Sequence, residues 1–159
     1  MTLGDLTAAG DALEECLESA ARQEYGLSAS SSLLLADICL RNADFGGAQK
    51  WLDTGRDLAS PGDVVVQAEW RSVAARLGSI EGQHEPALRL SDEAVAWAMK
   101  GDEIVNTARV LEGRAQVRRA AGLADDAEQD LKRAVALCAQ KGDVRDARRL
   151  AEMVTARLD

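Results

Sequence analysis

Leu58-Ala59-Ser60-Pro61-Gly62-Asp63-Val64 closes one alanine- and leucine-rich segment and opens the next. Proline cannot continue a helix, glycine accepts a left-handed cap, and an aspartate caps a following amino terminus. Gly-Asp recurs at Gly101-Asp102 and Gly142-Asp143, at spacings of 39 and 41 residues. A second series of turn signals, Asn42, Gly82 and Gly122, lies midway at spacings of 40. Between the signals run helical patterns, so the chain divides into helical hairpins of about 40 residues. One such hairpin cannot bury its own apolar face; it must stack on its neighbours.

The expected first helices of the hairpins cover 28–41, 64–80 and 102–121; the second helices cover 44–59, 85–100 and 124–141. A helix over 143–158 closes the array. Leu34, Leu35 and Ile38 are expected to face inward in the first of these. Ala48, Ala87 and Ala127 share one phase; Gly55, Ala94 and Ala134 follow seven residues on; Ala59, Ala98 and Cys138 follow eleven on. Small residues at these intervals share a helix face and let helices approach closely. Trp97 falls in phase with Leu58 and Leu137, which predicts core positions. The first 26 residues carry six acidic groups against Arg22 alone. The spacing of Leu6, Ala9, Leu13, Leu17 and Ala20 predicts an acidic capping helix or partial repeat over 6–24.

Bulk composition excludes several classes. A chain of 159 residues with 47% hydrophobic and 29% charged residues is an ordinary domain. A net charge of -8 opposes direct nucleic-acid binding, which needs a basic footprint. Three cysteines, Cys16, Cys39 and Cys138, suit neither a zinc site nor a disulfide framework, and a reducing cytoplasm is the expected compartment. No apolar run reaches membrane-spanning length, and the first residues lack the pattern of a secretory signal.

Catalytic and metal chemistry find no constellation. The Gly-Asp pairs lack the glycine spacing and lysine of a phosphate loop. Phe45-Gly46-Gly47-Ala48 falls in a hairpin turn and reads as packing or capping. His84 is the only histidine and sits in an exposed turn. Asp125 and Asp126 fall in the first turn of a helix, where negative charge offsets the helix dipole. No catalytic residue, metal or cofactor is therefore assigned.

Binding residues are sought among tryptophan and arginine, the types that dominate binding energy. Trp70, Arg71, Arg109 and Arg114 are expected on the groove lined by the first helices. Trp51 is an exposed anchor candidate. Arg145, Arg148 and Arg149 are expected to share one face of the last helix, suited to an acidic peptide or to the acidic first helix of a second copy.

Val66 to Val73, Glu93-Ala94-Val95-Ala96, Ala127 to Leu137 and Gln140-Lys141-Gly142-Asp143-Val144 resemble a bacterial repeat family. It is the long-period tetratricopeptide-like region at the C-terminal end of actinobacterial multidomain ATP-binding transcriptional regulators and some class III nucleotide cyclases. The resemblance spans about residues 28–158. It implies an all-α, right-handed solenoid of antiparallel helix pairs, divided at 27–62, 63–101, 102–142 and 143–159. It also implies a regulatory or scaffolding arm in signalling or transcription regulation. The resulting expectation is a non-catalytic cytoplasmic module that binds a protein or peptide, with a homodimer as a variant and neither nucleic acid nor membrane as a partner. A small-molecule sensor, requiring a pocket of convergent polar groups, and a self-associating structural protein are the alternatives.

Overall fold

A computed structural model of the chain describes residues 28–155 and, before them, Glu15, which is helical. Among the described residues there are seven helices and no strand: α1 (Ala29–Arg41), α2 (Phe45–Asp57), α3 (Val64–Ile80), α4 (His84–Ala98), α5 (Ile104–Ala120), α6 (Ala124–Lys141) and α7 (Val144–Thr155). The all-α expectation holds for this part of the chain. The acidic helix expected over 6–24, Cys16 and the end of the last helix otherwise lie outside the described residues.

Capping chemistry sets most of the boundaries. Ser28 accepts from the Ser31 amide, Asp44 from Gly47, Asp63 from Val66 and Asp143 from Asp146, at 2.9–3.1 Å. Each satisfies an amide that the helix itself leaves without a partner. Asp102 does not take this role: α5 begins one residue later, behind Glu103, whose side chain makes no cap bond.

The left-handed residues also differ from the expected ones. Gly82, Gly122 and Gly142 have φ near +81°, whereas Gly62 and Gly101 do not have positive φ. Pro61 and Asp63 thus stop and restart the chain without a left-handed glycine between them. In the first turn the left-handed residue is Ala43, at φ +58°, rather than Asn42. All four left-handed residues sit inside one closure. The next residue's amide reaches back five positions, as in Asp44 to Cys39, Gln83 to Gly78, Leu123 to Arg118 and Asp143 to Cys138, at 2.8–2.9 Å. This bond satisfies a carbonyl that would otherwise be orphaned at the helix end.

Helices adjacent in sequence pack against each other, and α3 also packs against α1 and α5. The small residues make these approaches possible. Ala48, Ala87, Ala94, Ala98, Ala127, Ala134 and Cys138 are all buried. A Cβ on Gly55 would stand 2.7 Å from Leu33 Cγ, so α2 lies against α1 at glycine distance. Around them Leu33, Leu52, Val66, Val73 and Leu77 fill one cluster; Val110, Leu111, Leu131 and Leu150 fill another, with Trp97 packed at its edge.

Two apolar assignments change. Leu34 is 42% exposed, because the inward stripe of α1 runs through Leu33, Ala36 and Leu40. Leu58 is 48% exposed, since α2 ends at Asp57 and the residue has left the helix face that Trp97 occupies in α4.

Candidate functional site

Helices α1, α3 and α5 each turn one stripe toward a shared recess that opens to solvent. The stripe of α1 is Leu33, Leu34, Asp37 and Arg41; that of α3 is Glu69, Ser72, Val73 and Arg76; that of α5 is Asn106, Arg109, Val110 and Gly113. Intervals of three and four residues place each set on one helix side. Gly113 lets α5 close upon α3: a Cβ there would stand 2.4 Å from Ser72 Oγ and 3.3 Å from Arg76 Cδ. The walls are aliphatic and the remaining groups charged or polar.

A run of ion pairs crosses this floor from α1 to α7. Asp37 pairs with Arg76 of α3 and, at 2.8 Å, with Arg41. Arg41 approaches Glu112 of α5 at 3.8 Å. Glu112, whose side chain is 4% exposed, accepts two bonds from Arg149 of α7 at 2.6 and 2.8 Å. Burial by itself raises the Asp37 carboxyl, but Arg76 and Arg41 outweigh it and hold the group below its ordinary value. Asp37 is therefore ionised in this network.

Glu69 stands apart from these pairs. Its Oε2 is buried and makes no hydrogen bond. Burial, reinforced by Asp63 and Asp37 and opposed by Arg109, raises its carboxyl to about 7. Arg109 is exposed and, among the described residues, forms no ion pair, so it acts on Glu69 only from a distance. Asn106, which is buried, also leaves its side-chain oxygen unpaired. A buried acceptor with no donor costs on the order of 1–3 kcal/mol, more if charged. The recess thus holds unused hydrogen-bonding capacity beside apolar walls.

Of the eight residues assigned from sequence, Arg109 alone lines the recess. Trp70 and Arg71 lie beside it, because the recess stripe of α3 runs through the neighbouring Glu69. The Trp70 indole N–H donates to Gln67 Oε1 at 3.1 Å, and the Arg71 guanidinium lies 4.2 Å from the Trp70 ring centre and 5.2 Å from that of Trp97. Arg71 also donates to Gln67 and Glu93, which joins α3 to α4. Arg114 points to the opposite side of α5. It donates to Asp130 at 2.6 and 2.8 Å and to Asp92 at 2.9 Å, and its side chain is 12% exposed.

Trp51 is half-buried against the cluster around Leu33 and Leu52, with the Lys50 ammonium 4.8 Å from its ring centre. It is not an exposed anchor. Arg145 and Arg148 are exposed, and among the described residues Arg148 pairs with Glu152. Arg149 turns inward to Glu112, so the three arginines of α7 do not form one docking face.

Asp37, Glu69 and Glu112 are not among the residues assigned from sequence, yet Asp37 and Glu112 each interrupt an apolar stretch. Asp37 interrupts Leu33-Leu34-Leu35-Ala36 and Ile38; Glu112 separates Val110-Leu111 from Gly113. A lone acid on the packed side of a helix needs a partner or a purpose.

His84 is exposed at the start of α4, Cys138 is buried with its thiol pushed up by burial, and the described residues hold no set of three His, Cys, Asp or Glu side chains placed for a metal. No described helix is long and apolar enough to cross a membrane. Neither models of known protein families nor curated protein sequences match the chain.

Proposed function

We propose that this chain is a non-catalytic binding module, a right-handed tetratricopeptide-like solenoid of antiparallel pairs whose α1–α3–α5 recess receives a polypeptide segment. In this reading the units are 27–62, 63–101, 102–142 and a closing 143–159, and the module is a regulatory or scaffolding part of a bacterial signalling or transcription-regulatory system. One observation carries the proposal. Unpaired polar groups, Glu69, Asn106 and Arg109, stand beside Leu34, Val73 and Val110 in an open recess crossing three helices. Peptide grooves use the same division, with apolar anchors for affinity and a few polar groups for orientation.

The experiment is selection from an arrayed random-heptapeptide library, followed by calorimetric titration of the selected peptide. Wild type and Arg148→Glu should bind it alike, while Leu34→Trp, which fills the recess from an exposed position, should weaken binding at least ten-fold. Absence of any selected peptide, or equal binding by Leu34→Trp, would refute the reading.

A second reading has its own support. Ionic groups, half-buried Asp37 with Arg76 and buried Glu112 with its partner Arg149, stand at the recess and suit a small polar ligand. Under that reading a small-molecule screen, rather than the peptide array, yields ligands whose binding is lost in Leu34→Trp.

A further inference from the structure

The charges around the recess leave one acid unanswered. From α1 come Asp37 and Arg41, which pair with each other. Arg76 of α3 pairs with Asp37. Glu112 of α5 is taken by Arg149, with Arg41 close by. Arg109 lines the recess and draws on Glu69 from a distance, but it is exposed and, among the described residues, forms no ion pair; Asp63 precedes α3 at its capping position. Glu69 remains, with a buried carboxylate oxygen that has no donor. Val73, one turn further along α3, and Val110 of α5 line the same recess and offer an aliphatic wall. A carboxylate beside an aliphatic wall complements a long cationic side chain, whose methylenes pack on the wall while its head makes charge-assisted bonds.

We propose that the recess selects a polypeptide segment by one lysine or arginine side chain, seated with its charged head on Glu69 and its stem along Val73 and Val110. This rests on the peptide-binding reading above and gives it a chemistry. Asn106, whose side-chain oxygen is also unpaired, supplies a second acceptor for the same head group. A protonated Glu69 offers the cation a neutral carboxyl, so docking requires loss of that proton. With its carboxyl titrating at about 7, the ionised fraction rises about ten-fold from pH 6 to pH 8. The charged groups around Glu69, namely Asp37, Arg41, Asp63, Arg76, Arg109 and Glu112, include no histidine to mask that change.

The test uses the full chain and the heptapeptide array, with fluorescence polarisation for affinities. Selected peptides should share a lysine or arginine at one position, and replacing it by glutamine should weaken binding at least ten-fold. Glu69→Gln should level the two peptides, and affinity for the basic one should rise about ten-fold from pH 6 to pH 8 in wild type only. Arg109→Gln, which removes the cation nearest in effect to Glu69, should retain the preference. Selected peptides without a basic residue, or a preference that survives Glu69→Gln, overturn the assignment while peptide binding itself stands. If wild type selects no peptide, the peptide-binding reading falls and this assignment with it. Arginine amide binding as tightly as the selected peptide overturns the commitment to a polypeptide.

Discussion

Ala43 carries a backbone conformation that its side chain opposes. At the equivalent turns the chain uses Gly82 and Gly122, with the same amide closure five residues back. A left-handed alanine costs about 1 kcal/mol relative to glycine. Ala43→Gly should therefore raise stability by up to about 1 kcal/mol in urea unfolding, the extra freedom it gives the unfolded chain offsetting part of the gain. Glu69 yields a prediction with a pH signature. Its carboxyl titrates near 7 folded against an ordinary 4.5, so between these values the folded state holds the extra proton. Stability from this group is full below pH 4.5 and is lost as pH rises through 7, by about 3 kcal/mol. Glu69→Gln should flatten the urea stability profile between pH 5 and 8 and leave the variant the more stable of the two at pH 8. An unchanged slope would show that Glu69 is not the buried titrating group.

Helix by helix, the ion pairs fall into two kinds with different consequences. Asp130 of α6 is 2% exposed and accepts from Arg114 and Arg118 of α5 at 2.6–2.8 Å. Asp130→Asn leaves two guanidinium groups facing a neutral amide and should cost about 3 kcal/mol. Glu128 and Lys132, on the exposed part of the same helix, pair at 2.6 Å, yet Lys132→Ala should cost less than about 0.5 kcal/mol. Paired urea titrations check both. A similar loss in the two variants would contradict the burial argument. This scale also explains what could be read beforehand. The spans of α3 and α6 are as the periodicity predicts, because Asp63, Pro61 and Gly122 fix their ends locally. The start of α5 is not, since Asp102 resembles a cap and the chain turns one residue later. The opposed directions of Arg148 and Arg149 depend on Glu112, 37 residues before Arg149, which helical spacing within α7 does not contain.

Across the whole molecule, the small residues of each pair were legible as packing surfaces because their period repeats. The recess was not. It arises where α5 closes on α3 at Gly113, and its chemistry lies in single acids that do not repeat: at spacings of 40, Asp37 answers to Leu77 and Val117, Glu69 to Ala29 and Arg109, and Glu112 to Ser72 and Ser32. None of the three acids is a tryptophan or arginine, the types that usually dominate binding energy. Arg71, Arg114 and Arg149 turned out to be engaged in holding helices together, and Arg109 alone stayed in the recess. A binding site built from the three inner stripes makes a claim about location that one spectrum can test. In a methyl-labelled sample titrated with the heptapeptide selected from the array, the resonances of Leu33, Leu34, Val73 and Val110 should shift together and saturate at the measured affinity. Shifts confined to α2, α4, α6 or the exposed arginine side of α7, with those four methyl groups unmoved, would contradict the account.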